Sequence, residues 1–367
     1  MRILIVSSKN KNLFNFRGDL IKDMICHGHE VYATGPNNHH IEDVMAVGIK
    51  RFYEIPSVRD NTSIVNDLKY LFRLKKTIRE IKPDLVFGFN IKPVVYGSIA
   101  ARMEKVPHIY AMVTGLGRVY SSGGIKISFI RFITNLLYRI ALRGCNQVIF
   151  QNHQDIDDLV RAGCLPEWKA RVVNGSGVNM ERFKRTAFPE KPVFLMVSRV
   201  IREKGVLEYC AAAKILQQDH PEARCILLGG FDASIGALAQ EDLQEYLDDG
   251  SIELAEEVKD PVDFYELSSV FVLPSYYREG LPRTILEAMS CGRPVITTDW
   301  VGCREPIQDG VNGFLVPIKD RVTLAEKMAV LCDMNTARTM GEASYRICKE
   351  KFEVSIVNQQ MREILGY

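Results

Sequence analysis

Two short stretches of the 367-residue chain carry side chains suited to a diphosphate. The first is S-R-V-I-R-E-K-G, residues 198–205, in which Arg199 directly follows an apolar run and Lys204 lies five residues on. A guanidinium fork and an ammonium point charge at the end of a strand, ahead of a helix N-terminus, fit a diphosphate. On charge alone both read first as solvated surface cations, since basic residues at strand ends are common, and Arg202 and Glu203 read as surface residues. The second stretch is P-S-Y-Y-R-E-G-L-P-R-T-I-L-E-A-M, residues 274–289. Glu279 and Gly280 lie in a loop after the apolar run 270–273, and Pro282 is expected at the first helical position, where its missing N–H costs nothing. The amides of Gly280 and Leu281, with those of the first turn near Thr284, would form an anion site needing no metal. Glu287, eight residues after Glu279, falls inside the helix. A carboxylate there can accept two hydroxyl hydrogen bonds from a ribose diol. The plainer alternatives are a helix-surface carboxylate for Glu287 and a helix-N-terminus stabiliser for Glu279.

Other clusters read more simply. D-I-D-D at 155–158 follows Asn152 at an expected helix start, where acids near the N-terminus explain themselves. His39 and His40 are adjacent, which is poor geometry for joint metal binding, and His27 and His29 flank a glycine turn. His108 opens a strand and reads as a core histidine. No H-x-E or H-E-x-x-H spacing occurs, so no zinc site is expected. N-G-S-G-V at 174–178 is not a nucleophile elbow and suits tight backbone turns near a hinge.

The elements that must position these residues follow one rhythm. Apolar runs at 2–7, 31–34, 50–55, 84–88, 108–113 and 146–150 alternate with helical patterns, including a helix over 13–26 closed by Gly28. Short apolar strands separated by helices predict parallel sheets covered on both faces. The segment 186–192, T-A-F-P-E-K-P, breaks the rhythm as a linker, and the rhythm restarts at 193–198, 224–228, 270–273 and 294–298. The predicted architecture is α/β: two doubly wound Rossmann-like domains, 1–187 and 188–352, facing across a cleft. A final helix over 353–367 is able to pack back on the first domain. Ligands are expected outside the carboxyl ends of the strands.

At this point R-x4-K at 199–204 followed by E-x7-E at 279–287 resembles the donor-site signature of the retaining glycosyltransferases of family 4, which have the GT-B fold. G-R-P-V-I-T-T-D and D-G-V-N-G-F-L-V-P extend the resemblance over the second domain. N-F-R-G at 15–18, N-I-K-P-V-V-Y-G-S-I-A-A-R at 90–102 and V-T-G-L-G at 113–117 are similar to a bacterial subset that builds capsule, O-antigen or glycoprotein glycans. That subset includes N-acetylgalactosaminyltransferases acting on diphosphoundecaprenyl-linked sugars. The resemblance implies that Arg199 and Lys204 bind the donor diphosphate and stabilise its departure, and that Glu287 holds the ribose. It implies further that Glu279 meets the transferred sugar, with Gly280, Leu281 and Thr284 completing the cradle. Neither a metal nor another cofactor is implied. Many members carry a His in the first-domain loops after the fourth or fifth strand; here those loops read F-N-I-K-P and M-V-T-G-L-G. Acceptor-side contacts are therefore expected from Asn15, Arg17, Asn90, Lys92, Thr114 and Gly115.

The formal net charge of +2 hides a division. Residues 1–187 hold 28 Lys and Arg against 16 Asp and Glu, a formal +12, and the remainder carries −10. Residues 105–154 contain no acid at all. Within them I-S-F-I-R-F-I-T-N-L-L-Y-R-I-A-L is apolar with interspersed cations, and a second basic helix is expected around 69–79. Such helices suit an anionic membrane surface, while no nucleic-acid motif accompanies them. The nine Cys form no C-x-x-C pair and read as reduced thiols of a cytosolic protein. The N-terminal apolar run is too short for a signal peptide, and no span crosses a membrane. The expected partners are a UDP-sugar, a polyprenyl-diphosphate-linked glycan and the cytoplasmic face of the inner membrane. A UDP-sugar epimerase or hydrolase on the same fold, and a non-catalytic nucleotide-sugar-binding protein, stand as alternatives.

Overall fold

The computed structural model describes residues 1–56, 63–121, 124–231 and 236–367. The chain divides into two compact units, Met1–Ser176 together with Ser355–Tyr367, and Gly177–Val354. In unit 1 the strands are β1 (Arg2–Val6), β2 (Glu30–Gly35), β3 (Arg51–Glu54), β4 (Leu85–Phe89), β5 (His108–Val113), β6 (Gln147–Phe150) and β7 (Ala170–Val172). Their order is β3-β2-β1-β4-β5-β6-β7, and every pairing is parallel. Alternate residues explain why β1 is apolar beyond Arg2: Ile3 and Ile5 enter one core cluster, Leu4 and Val6 another on the opposite face. The helices Ile64–Ile81 and Ile125–Leu142 pack on the second cluster through Tyr70, Leu74 and Ile78, and through Tyr138, Ala141 and Leu142.

Unit 2 holds β8 (Val193–Val197), β9 (Arg224–Leu228), β10 (Glu253–Ala255), β11 (Val270–Leu273), β12 (Val295–Thr298) and β13 (Gly313–Val316), ordered β10-β9-β8-β11-β12-β13 and again parallel. In both sheets the strand order reverses once, between β1 and β4 and between β8 and β11. Those reversals open a crevice beyond the strands' carboxyl ends.

Four local expectations are corrected. The helix expected over 13–26 is two, Asn10–Asn15 and Gly18–Cys26. The chain breaks there because Arg17, only 4% exposed, turns inward to the Ser176 hydroxyl at 3.1 Å and lies over the Phe89 ring. Pro282 caps the helix Arg283–Ser290 from outside instead of occupying its first turn. His108 opens β5 as an exposed residue, not a core one. The division at 187/188 moves to 176/177. The Pro-bearing segment belongs to unit 2, because the buried Arg293 guanidinium binds Thr186 and Ala187 and draws the segment onto that core. At the edge of unit 2, Val178 and Phe352 to Val354 exchange two backbone hydrogen bonds. The helix Val354–Leu365 contributes Met361 and Leu365 to the core of unit 1, where Arg362 binds Asp23 at 2.5 Å.

Candidate functional site

The loops after β8 and β11 are tied together by backbone. The Glu203 carbonyl accepts the amides of Tyr276 and Tyr277, both at 2.9 Å, and the Ser275 hydroxyl at 3.3 Å. Glu203 is thus half-buried, not a surface residue as expected. Close approach demands glycine twice here. A Cβ on Gly205 would stand 2.1 Å from the Pro274 carbonyl oxygen, and one on Gly302 would stand 2.6 Å from the carbonyls of both Glu279 and Gly280. The result places Arg199 and Lys204 past β8 and Glu279 past β11, on the two strands that flank the reversal. Lys204 and Glu279, expected as separate contacts, form an ion pair through Nζ and Oε1. Beneath them the Cys303 thiol is buried and pushed up to about 12, so it is no nucleophile.

The helix Arg283–Ser290 starts at the same edge, with Gly280 and Leu281 buried just before it and Thr284 in its first turn. Glu287 is not a surface carboxylate: the residue is 8% exposed. Tyr265 donates its hydroxyl to Oε2 at 2.9 Å, and Arg283 pairs with Oε1 at 3.1 Å. Burial raises the Glu287 carboxyl above its ordinary range, while the Arg283 charge opposes that rise. Tyr265 and Arg283 escaped sequence reasoning. Arg283 was detectable as an i,i+4 partner, whereas Tyr265 lies on a different helix, Val262–Leu267. Arg278, buried in the loop between β11 and the helix Arg283–Ser290, also gave no signal.

In unit 1 the carboxyl ends of β4 and β5 hold most of the acceptor-side candidates. Asn90 takes a left-handed conformation, φ 72°, and Gly115 has φ 110°. Asn12 donates to the Asn90 side-chain oxygen at 3.1 Å, and Asn90 donates to the Thr114 hydroxyl at 3.2 Å. The chain then runs through a π-turn, Pro93–Gly97. It folds so tightly that a Cβ on Gly88 would come within 2.9 Å of the Pro93 carbonyl. Strained backbone of this kind concentrates at functional sites. Lys92 is held by Asp67 at 2.8 Å, and the Tyr96 hydroxyl takes the other Asp67 oxygen at 2.9 Å. Asn15 ends the first helix half-buried, and Arg17 lies buried over the Phe89 ring. Among the described residues no group of three or more His, Cys, Asp or Glu could hold a metal ion, and Asn152 caps its helix by accepting the Asp155 amide.

Two doubly wound units, the second with paired cations and carboxylates at its strand reversal, define the GT-B class of glycosyltransferases. The sequence matches "Glycosyl transferase 4-like" over residues 2–152 and "Glycosyl transferases group 1" over 191–334. This chain belongs to that family of glycosyltransferases. It is 29% identical over 348 residues to the N,N'-diacetylbacillosaminyl-diphospho-undecaprenol alpha-1,3-N-acetylgalactosaminyltransferase of Campylobacter jejuni, covering 91% of this chain and 90% of that protein. It is 26% identical to the UDP-Gal:alpha-D-GlcNAc-diphosphoundecaprenol alpha-1,3-galactosyltransferase of Escherichia coli, over 78% of this chain and 75% of the other. Among solved structures, Anabaena HepE in complex with UDP and glucose superposes with a TM-score of 0.79 at 19% identity, covering 100% of this chain and 99% of that one.

Proposed function

We propose that this enzyme transfers an N-acetylhexosamine-type sugar from a UDP-sugar to a diphosphoundecaprenyl-linked glycan, with retention and without a metal, in the assembly of a bacterial surface glycan. The placement of Arg199, Lys204, Glu279 and Glu287 around the β8/β11 reversal carries the reading. The names of the Campylobacter and Escherichia relatives support the acceptor class, and the UDP complex of the Anabaena structure supports the nucleotide. In the reaction Glu287 holds the ribose diol, while Arg199, Lys204 and the N-terminus of the helix Arg283–Ser290 neutralise the departing diphosphate. Glu279 fixes the sugar hydroxyls. The acceptor hydroxyl attacks the anomeric carbon from the face the diphosphate leaves, and its proton passes to the departing phosphate oxygen.

The same enzyme docks on an anionic membrane through unit 1. Ile125 is 92% exposed, Phe132 67% and Phe129 64%, with Lys126 and Arg139 exposed on the same helix. Ile64, 76% exposed, and Phe72 project from the helix Ile64–Ile81, beside exposed Lys69, Arg73 and Lys76. Each of these helices begins at the strand edge that holds Asn90 and Thr114, as parallel βαβ connections require. No described helix is long and apolar enough to cross a membrane. A panel of UDP-, GDP- and dTDP-sugars with a diphospholipid-linked acceptor tests the reading, with product stereochemistry assigned by NMR. Turnover of donor without acceptor would favour the epimerase or hydrolase instead.

A further inference from the structure

Glu287 is built into its place by groups that the transfer reaction itself does not use. Tyr265 is wholly buried, stacks edge-on against Phe183 at 5.8 Å and packs against Phe271 at 5.8 Å. Its backbone carbonyl is tied to Arg293 at 3.2 Å. A ring so confined can aim its hydroxyl in one direction. Burial keeps that hydroxyl protonated, so it donates to Oε2 of Glu287. Arg283, one helical turn before Glu287, holds its charge 3.1 Å from Oε1 as an ion pair. A carboxylate offers about four lone-pair positions, two on each oxygen. Tyr265 fills one position on Oε2 and the Arg283 charge faces Oε1, which leaves acceptor positions on both oxygens for a ligand, and the Glu287 side chain retains 11% of its surface for access. Two acceptor positions on adjacent oxygens of one rigid carboxylate match the two O–H groups of a vicinal diol.

We propose that Tyr265 and Arg283 are positioning residues that hold Glu287 as a two-point acceptor for a vicinal diol, so that the donor is selected as a ribonucleotide against a 2′-deoxyribonucleotide. The inference rests on the donor reading of Glu287. The groups facing the carboxylate are Arg283 on its own helix, the thiol of Cys291 just past that helix, Tyr265, and the Arg182–Asp260 pair at 3.1 Å. Arg283, Tyr265 and Arg182 favour the ionised form, Asp260 opposes it, and burial opposes it most. Diol binding needs the ionised form and is therefore lost on acidification. Removing the Tyr265 hydroxyl or the Arg283 charge moves that loss to higher pH.

The test is calorimetric titration of the full chain with UDP and with 2′-deoxy-UDP between pH 5 and 8, for the unaltered protein, Tyr265→Phe, Arg283→Gln, Arg283→Lys and Glu287→Gln. The unaltered protein is expected to prefer UDP by about 10-fold or more, the scale of one charge-assisted hydrogen bond. Tyr265→Phe and Arg283→Gln are each expected to erase most of that preference and to shift the acid loss of UDP binding upward, with Arg283→Lys restoring part of it. With a competent UDP-sugar the same variants raise KM and leave kcat nearly unchanged. No preference in the unaltered protein overturns the donor reading of Glu287 and this inference together. A preference lost in Glu287→Gln but kept, with its pH limb, in both Tyr265→Phe and Arg283→Gln overturns only the positioning role. The two variants read out independently, so misfolding of one leaves the other to decide.

Discussion

Lys204 and Glu279 hold each other at the place where the proposed donor would need each. With side chains only 13% and 19% exposed, the pair is weakly screened, and a diphosphate must draw Lys204 away from its carboxylate. Glu279→Gln is therefore expected to tighten UDP several-fold by titration while transfer falls. Lys204→Ala loses both, with kcat down roughly 10²–10³-fold, the effect of removing one preorganised charge contact. Gly302→Ala drives a methyl into two carbonyls at a φ of 84° and should weaken UDP binding and lower Tm together. Asn90→Gly keeps the left-handed turn at the end of β4, whereas Asn90→Val is expected to destabilise the fold by about 1–2 kcal/mol, measurable by urea titration. Spacing in the sequence made Arg199, Lys204, Glu279 and Glu287 legible, because motif geometry is local to two loops and one helix. It hid Lys204's pairing and Tyr265's hydroxyl, since both depend on residues brought together only by the sheet.

The helix Ile125–Leu142 buries three residues, Tyr138, Ala141 and Leu142, and leaves Ile125, Phe129, Phe132 and Leu136 in solvent. Phe129→Ser with Phe132→Ser removes two side chains worth roughly 1.5–3 kcal/mol each when withdrawn from water. Partition of the full chain onto anionic vesicles should fall about 10²-fold or more, while stability to urea changes little, because neither ring supports the core. The inner strands of both sheets were legible as apolar runs, since burial on two faces leaves no polar position to blur them. The edge strands β7 and β10, three residues each and half-buried, carry no such run. The break at Phe16 was equally illegible: a helical pattern does not announce that its arginine packs over the Phe89 ring.

At the scale of the whole molecule, the near-neutral sum of +2 averages a basic and an acidic half. The proposed attraction of the first half to an anionic bilayer would be screened over about 10 Å at 0.1 M salt. Vesicle binding should therefore weaken steeply between 50 and 200 mM salt on anionic lipid. On neutral lipid it should be weak and insensitive to salt. The discontinuity of unit 1 has a consequence in time as well as in space. Met361 and Leu365, which complete its core, and Arg362, which ties to Asp23, are translated only after every residue of unit 2. Unit 1 therefore waits on the ribosome with an open apolar face while unit 2, contiguous from Gly177 to Val354, is free to mature first. Nascent chains stalled before residue 355 should show protease resistance in the second half ahead of the first. The order of synthesis and the order of completion then run opposite ways along this chain.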